Sequence, residues 1–509
     1  MSFARVFGGQ PALPKAHLVS VEADLARGLH AFSIVGLPDS SVKEAKDRVS
    51  SAIKNSGLES PKAKNKKIVI SLAPAELKKE GAAFDLPVAL AYLLASEEMA
   101  FDPAGKLFAG ELALDGSVRG LRGALSLAVL ARDKSIKELY VPAENADEAA
   151  LVSGITIIPV KTLPQILAHL RKRDPVRITP HERAKELSPM SMDDLVDLSD
   201  IRGQESAKRG LEIAVAGGHN IALYGPPGTG KTMLARAAAA LLPPLSEDEM
   251  LEVTAIHSLA GTLVGAAVTH PPFRSPHHTS SYPSLIGGGA NIKPGEVTLA
   301  HRGVLFLDEF PEFHRDVVNA LREPLEDAQV SVARAKGSAT YPANFMLVAA
   351  LNPCPCGKYG TRECTCMPMA IEKYRRKISG PVADRIDIWV QVGTLPPEAL
   401  SRKGKKLSSE TETTRKRIVD ARERQKKRFK GAKGISTNAD MGARDIEDLA
   451  QLTGKAEETL INAAKQLKLS ARGYHRTVKL ARTIADLAGS EPIEPTHMLE
   501  ALQYRAREM

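Results

Sequence analysis

No stretch of this chain approaches the roughly 18 consecutive apolar residues a helical membrane span needs, although 43% of its 509 residues are hydrophobic. A helical membrane protein is excluded, and no membrane partner is expected. The amino terminus, MSFARVFGGQ, has no signal-peptide core, so the expected location is cytoplasmic. Cysteine is scarce: four residues, all between positions 354 and 366, so no disulfide framework spans the chain. Acidic residues, 60 in number, fall short of the 69 basic ones, giving a net charge of +9 and a pI near 9.2. A polyanionic partner is favoured, weakly, by that total. The distribution says more, because Arg402 to Lys433 holds 14 Lys/Arg against 4 Asp/Glu, a local excess larger than that of the whole chain. The length suggests about three domains, each able to bury its own core.

What is present centres on Asn220 to Thr232, NIALYGPPGTGKT. A short apolar strand runs into Gly225, Pro226, Pro227, Gly228, Thr229, Gly230, Lys231 and Thr232. Such glycines let backbone N–H groups converge on a concavity that cradles phosphates; Lys231 reaches the β- and γ-phosphates, and the Thr232 hydroxyl ligates magnesium. The Ala/Leu-rich stretch from Met233 to Leu242 predicts the helix whose N-terminus faces those phosphates. Downstream, Gly303 to Glu309 is an apolar run ending in two acids, the pattern of a buried parallel strand whose carboxyl end meets a ligand. Asp308 would hold magnesium through water, and Glu309 would polarise the attacking water as general base. A third strand, Phe345 to Asn352, ends in an amide where AAA+ ATPases keep the residue that orients that water. Asparagine at a strand end is otherwise a turn former, so this role rests on its order after the two preceding motifs. The three strands read as an ATP hydrolase with ATP and Mg2+ as cofactors.

Residues 1–170 carry no comparable motif. Phe32 to Pro38, Lys67 to Leu72 and Lys137 to Pro142 read as strands, and Ser41 to Ser56 and Pro87 to Ala95 as helices. The phrases AFSIVGLPDSSVKEAKDRV, ISLAPAELKKEGAAFDLPVAL and GELALDGSVRGLRGAL resemble the amino-terminal domain of the ComM/YifB family of magnesium-chelatase-like AAA+ proteins. That domain is similar in fold to the proteolytic domain of Lon, a ribosomal S5 domain 2-like α+β fold. A Lon-type site needs a serine and a lysine that deprotonates it. Aligned on Lys79-Glu80-Gly81, Ala83 stands where the serine belongs; aligned on Gly116 and Val118, Leu125 stands near the place of the lysine. The domain is therefore expected to be catalytically dead, a structural or docking module. Residues 171–200, charged and broken by three prolines, read as a linker.

The resemblance covers essentially the whole chain and implies roles for further residues. Ile201, in the phrase DIRGQ, would pack on adenine. The segment from Phe273 to Ala290, FRSPHHTSSYPSLIGGGA, matches a hallmark of the family and occupies the position of the helix-2 insert that projects into a hexamer pore. His277 and His278 within it read as hydrogen-bonding or nucleic-acid-facing, with metal ligation the alternative. Pro311 to Glu326 reads as a helix, and Val330 to Tyr341 as a hairpin with Arg334 and Lys336 at its tip, similar to the DNA-gripping hairpin of hexameric helicases; a solvated turn is the other reading. Cys354, Cys356, Cys364 and Cys366 point to zinc more than to disulfides, against a redox-sensitive or metal-free loop. Arg385, in SGPVADRID, resembles an arginine finger reaching a neighbour's site, the alternative being an ion pair with Asp384 or Asp387. Arg472, after Ser470 and Ala471 at a helix start, resembles the sensor-2 arginine of an AAA+ lid, with Arg476 competing for that role.

The expected fold class is α/β: a Lon-protease-like domain, an AAA+ P-loop core over 201–400, and a basic segment with a helical lid of magnesium-chelatase carboxy-terminal type over 401–509. The basic stretch from Thr414 to Arg428 has helical composition and either faces DNA or is solvated. The resemblance implies a homohexameric DNA helicase acting on single-stranded and branched DNA, alongside recombination proteins, to drive branch migration in homologous recombination during natural transformation. A magnesium-chelatase motor and a Lon-like protease are the rival readings.

Overall fold

The computed structural model describes residues 3–63, 65–171, 180–181, 196–289, 293–334, 337–359, 362–377, 380–394, 410–432 and 434–505. They form two compact units, Met1–Met190 with Ser246–Thr269, and Ser191–Leu245 with His270–Met509. Most of the expected linker, residues 172–179 and 182–195, lies outside the described residues; its end, Leu198–Asp200, is a 3-10 turn.

In the first unit, Val19, Val21, Ala23 and Leu25 alternate inward along the strand His17–Arg27, the period of a half-buried sheet. The sheet runs in the order Phe3–Gln10, His17–Arg27, Lys66–Ala73, Ala31–Val35. Its last pair is parallel, the helix Ser40–Asn55 lying between the two strands in sequence. Asp39 caps that helix by accepting from Val42 N at 2.8 Å. The helix Asp85–Ala95 is buried nearly all round, and its Asp85 takes Arg48 Nε at 2.6 Å and Nη2 at 2.9 Å. A second, parallel sheet joins Lys106–Phe108, Glu138–Pro142 and Thr156–Val160. Ala83 and Leu125 are both buried, Leu125 on the helix Ala124–Asp133.

The helix Glu247–Ala260 packs in this first unit, although its residues follow the P-loop helix in sequence. A Ser246/Glu249 capping box starts it. Near its end, buried Ser258 accepts from Gly123 N at 2.9 Å and donates to Glu148. Glu148 also accepts from Leu125 N at 2.8 Å, and burial lifts its carboxyl above the usual glutamate range despite these bonds.

The second unit is built on five parallel strands in the order Phe273–Arg274, Val304–Leu307, Met346–Leu351, Ile221–Tyr224, Ile388–Gln391. Every side chain of Val304–Leu307 and Met346–Leu351 is buried, as a sheet covered on both faces requires. The helices Glu205–Gly217 and Lys231–Leu241 contribute to its core, as do Ile418, Leu460, Val478 and Met498 from the helices Glu410–Arg428, Gly454–Leu467, Ala471–Ala488 and Pro495–Gln503.

That helical region contains a buried polar hub. Asp486, fully buried, accepts from Arg428 Nη1 at 2.9 Å, Asn438 Nδ2 at 2.8 Å and Arg482 Nη2 at 3.0 Å. Asn438 also reaches Thr483 Oγ1 at 3.1 Å; Thr483 meets His219 Nε2 at 2.9 Å, and His219 Nδ1 lies 3.1 Å from Asp387.

One expected element is corrected. Pro311 to Glu326 is not one helix but a 3-10 turn, Phe310–Glu312, and two short helices, Arg315–Ala320 and Arg322–Asp327. Phe313 and His314 are extended, with ψ of 146° and 139°, and Phe313 is buried in the process. The hairpin forms as Gln329–Arg334 against Gly337–Pro342; Lys336 and the Arg334 side chain lie outside what is described.

Candidate nucleotide site

The P-loop, the acid pair and Asn352 meet at the carboxyl ends of the central strands. Gly225 sits where a Cβ would lie 2.0 Å from Val392 O, so only glycine lets the chain turn there. Gly228 and Gly230 have φ of 75° and 89°. Thr229 Oγ1 donates to Pro226 O at 2.9 Å and closes the loop. Lys231 opens the helix, and its Nζ donates to Gly225 O at 2.7 Å, Pro226 O at 2.8 Å and Asn352 Oδ1 at 3.2 Å. Burial holds its ammonium below the ordinary lysine range, with Asp308 and Glu309 opposing.

Thr232 Oγ1 lies 3.2 Å from Asp308 Oδ2. The pair offers a hard cation an alcohol and a carboxylate oxygen side by side, the donor set magnesium takes. Glu309 has φ 50° and ψ 43°, a left-handed conformation that costs a non-glycine residue about 1 kcal/mol or more and gathers at functional sites. Its Oε2 is 3.4 Å from His278 Nδ1, and the rings of His277 and His278 pack with centroids 4.1 Å apart, tilted by 34°. Sequence reasoning missed this neighbour. The signal was the position of the histidines immediately after Phe273–Arg274, the strand beside Val304–Leu307.

Ile201 is buried in the core, and Gln204, in the same phrase, donates from Nε2 to Gly393 O at 2.6 Å. Arg385, Arg472 and Arg476 line a single cleft of 590 Å³ that also contains Asn220, Asn344 and Asp387. Those last residues precede their strands, so the cleft opens at the amino ends of the sheet, whereas the P-loop is at the carboxyl ends. Four residues of strand Ile221–Tyr224 separate the two edges, roughly 13 Å at the usual rise. Arg385 pairs with Glu326, not with Asp384 or Asp387. Arg476 Nη1 donates to Ile386 O at 2.7 Å, and Arg472 stays exposed two residues past the Ser470 cap.

The four cysteines converge. Cys354 Sγ is 3.4 Å from Cys356 and 3.9 Å from Cys364, and Cys356 is 3.7 Å from Cys364. With Cys366 all four sulfurs lie within 4.8 Å of one another.

A phosphate loop, an acid-terminated strand, an amide-terminated strand and this order of parallel strands define a P-loop nucleotide-binding core of AAA+ type. The chain matches "Magnesium chelatase, subunit ChlI" over residues 197–400, "Subunit ChlI of Mg-chelatase" over 21–145 and "Magnesium chelatase, subunit ChlI C-terminal" over 408–505. It is 44% identical to YifB of Escherichia coli K12, covering 96% of this chain and 94% of that one. Identity to "Competence protein ComM" of Haemophilus influenzae is 41%, over 99% of this chain and 98% of that one. Lon protease 2 of Bacillus subtilis is 33% identical over 139 residues, 26% of this chain and 25% of Lon. The chain belongs to the ComM/YifB family of magnesium-chelatase-like AAA+ proteins, which implies use of a nucleotide and Mg2+.

Proposed function

We propose that this protein is an ATP hydrolase that works as a homohexamer on single-stranded and branched DNA, driving branch migration in the homologous recombination of natural transformation, in the cytoplasm. The observation that carries the hydrolase is the convergence of Lys231, Thr232, Asp308, Glu309 and Asn352 on one edge of the sheet. Full-length likeness to a protein named for competence supports the DNA-related part.

Lys231 now rests on two carbonyl oxygens and an amide oxygen; phosphate oxygens would take their place. Thr232 and Asp308 would hold magnesium, which when bound supplies charge that offsets that of the phosphates. Glu309 accepts the proton of the attacking water, and Asn352 orients that water. Ile201 would border the adenine. The amino-terminal domain, with Ala83 and Leu125, acts as a docking module rather than a protease.

Because Arg385, Arg472 and Arg476 share a cleft at the far edge of the sheet, their own P-loop is out of reach across the strands. They suit a neighbour's phosphates, which supports a ring in which each site is completed by the next subunit. In this reading Glu326 holds Arg385 until that neighbour arrives, and the lid carries Arg472 and Arg476 to the same interface. Arg334 and Lys336 would grip the DNA backbone. The packing of His277 on His278, with His278 against Glu309, would link DNA at the insert to the general base.

The test is ATPase activity and oligomer state by electron microscopy, with and without single-stranded DNA. Stimulation and hexameric rings are expected. An unresponsive monomer overturns the helicase reading, and stimulation by a chelatase partner instead of DNA moves the chain to the magnesium-chelatase motors.

A further inference from the structure

We infer that Cys354, Cys356, Cys364 and Cys366 form a tetrathiolate zinc site whose loop props the phosphate cradle, so that zinc sets nucleotide affinity. A tetrahedron with bonds of about 2.3 Å places its sulfurs about 3.8 Å apart. The observed separations of 3.4, 3.7 and 3.9 Å bracket that value. They are far too long for a disulfide bond, about 2.05 Å, and all four cysteines are free thiols. Four soft sulfurs without any oxygen or imidazole donor select zinc over magnesium or calcium.

The loop that carries them is anchored on both sides of the nucleotide site. It begins two residues after Asn352, whose Oδ1 takes the Lys231 ammonium at 3.2 Å. Between the two cysteine pairs, Gly357 turns with φ 75°, its N–H held by Cys354 O at 2.9 Å. A Cβ built there would lie 2.6 Å from Pro227 Cδ and 3.1 Å from Pro227 Cγ. The thiolate loop therefore bears directly on a proline of the phosphate loop. Arg375 lies 4.9 Å over the ring of Tyr359, and Tyr374 bonds the Asn352 backbone, fixing the helix Pro368–Arg375 to the same loop. Ligation by zinc would join Cys354 and Cys356 to Cys364 and Cys366, segments otherwise linked by the exposed Lys358–Glu363 ion pair and by weak thiol contacts, and thereby fix the surface on which Pro227 rests.

The inference takes the Lys231 loop to be the nucleotide cradle, as proposed above. Zinc is counted without nucleotide, by mass spectrometry on protein purified without chelator; about one zinc per chain is expected, and iron or no metal overturns the site. Binding of the fluorescent nucleotide mant-ADP is then titrated. Cys354→Ser/Cys364→Ser should lose the zinc and bind mant-ADP about tenfold more weakly, the scale of disrupted metal-site surroundings. Gly357→Ala should keep its zinc and show a comparable loss, because the methyl group displaces Pro227. Should the double cysteine variant misfold, zinc is withdrawn from the wild-type protein by chelator under reductant and restored as the free ion, with affinity expected to fall and return. Lys231→Ala checks the cradle separately, losing mant-ADP while keeping zinc. Unchanged mant-ADP affinity in zinc-free protein, or in Gly357→Ala, refutes the prop.

Discussion

Replacing Asp486 should destabilise the second unit more than almost any other single change. The carboxylate is fully buried and takes hydrogen bonds from Arg428, Arg482 and Asn438. Arg482 is itself fully buried and the Arg428 side chain is 11% exposed, so Asp486→Ala strands two guanidinium groups away from water. Removing one partner of such a buried pair costs about 3–5 kcal/mol. The backbone carbonyls of Ala450 and Ser490 that also hold Arg482 keep the loss nearer the lower end. At about 3 °C per kcal/mol for a unit of this size, the melting temperature should fall by on the order of 10 °C. Calorimetry on the full chain resolves which unit's transition moves. Asp486→Asn preserves volume, so a loss of similar size in that variant assigns the effect to charge and not to a cavity. The control is Asp47→Asn, whose Lys62 bridge is more than half exposed on both sides and should shift stability by about 0.5 kcal/mol or less. If both Asp486 variants melt within about 1 kcal/mol of wild type, the hub does not hold the helical region together.

In the first unit, burial raises the Glu148 carboxyl above the ordinary 4.5, so the folded chain holds that proton more tightly and stability is lost as pH rises from 4.5 through the raised value. Thermal melts of Glu148→Gln should show a flatter pH dependence over that interval; an identical profile argues against this carboxyl. Lys231→Ala should abolish ATP binding, whereas Glu309→Gln should bind ATP without hydrolysing it, because the second change leaves Thr232, Asp308 and the cradle intact. Equal ATP affinity in the two variants would contradict these roles. Mixing Arg385→Ala with Lys231→Ala should restore hydrolysis beyond the sum of the separate proteins, at interfaces where an intact cradle faces an intact arginine; a simple sum would leave Arg385 as an ion-pair partner of Glu326 within its own chain.

The elements that the sequence displays are those whose causes are local. The P-loop helix, expected over Met233 to Leu242, forms at Lys231–Leu241, and the three apolar strands lie within a few residues of their expected limits. The serine at position 470, expected at a helix start, accepts from Gly473 N at 3.1 Å. What stayed hidden depends on distant partners. The 3-10 turn Phe310–Glu312 is cut off from the helix Arg315–Ala320 where Phe313 enters the core, which no helix propensity reports, whereas the second break, at Leu321, was legible in Pro324, which cannot bond back to Ala320. His278 meets Glu309, and Pro227 meets Gly357, only because parallel strands bring their carboxyl ends together. Arg482 and Asp486 show the spacing of an exposed helical ion pair, yet both are buried. The four cysteines were legible as a cluster, but their mutual distances were not.

The helix Glu247–Ala260 also governs how this protein can be taken apart. The chain enters the first unit twice, leaving at residue 190, returning at 246 and leaving again at 269. A gene cut after codon 190 would yield an amino-terminal fragment lacking its own helix, with Glu148 and the Gly123 amide deprived of Ser258 and their buried surface opened to water. The complementary fragment would carry that helix without the floor it packs on. A workable dissection has to graft 246–269 onto the amino-terminal piece and bridge residues 245 and 270 in the other. Genetic insertions between the P-loop helix and the strand at Phe273 would be felt in the amino-terminal unit first, an address that the linear map of the motifs does not give.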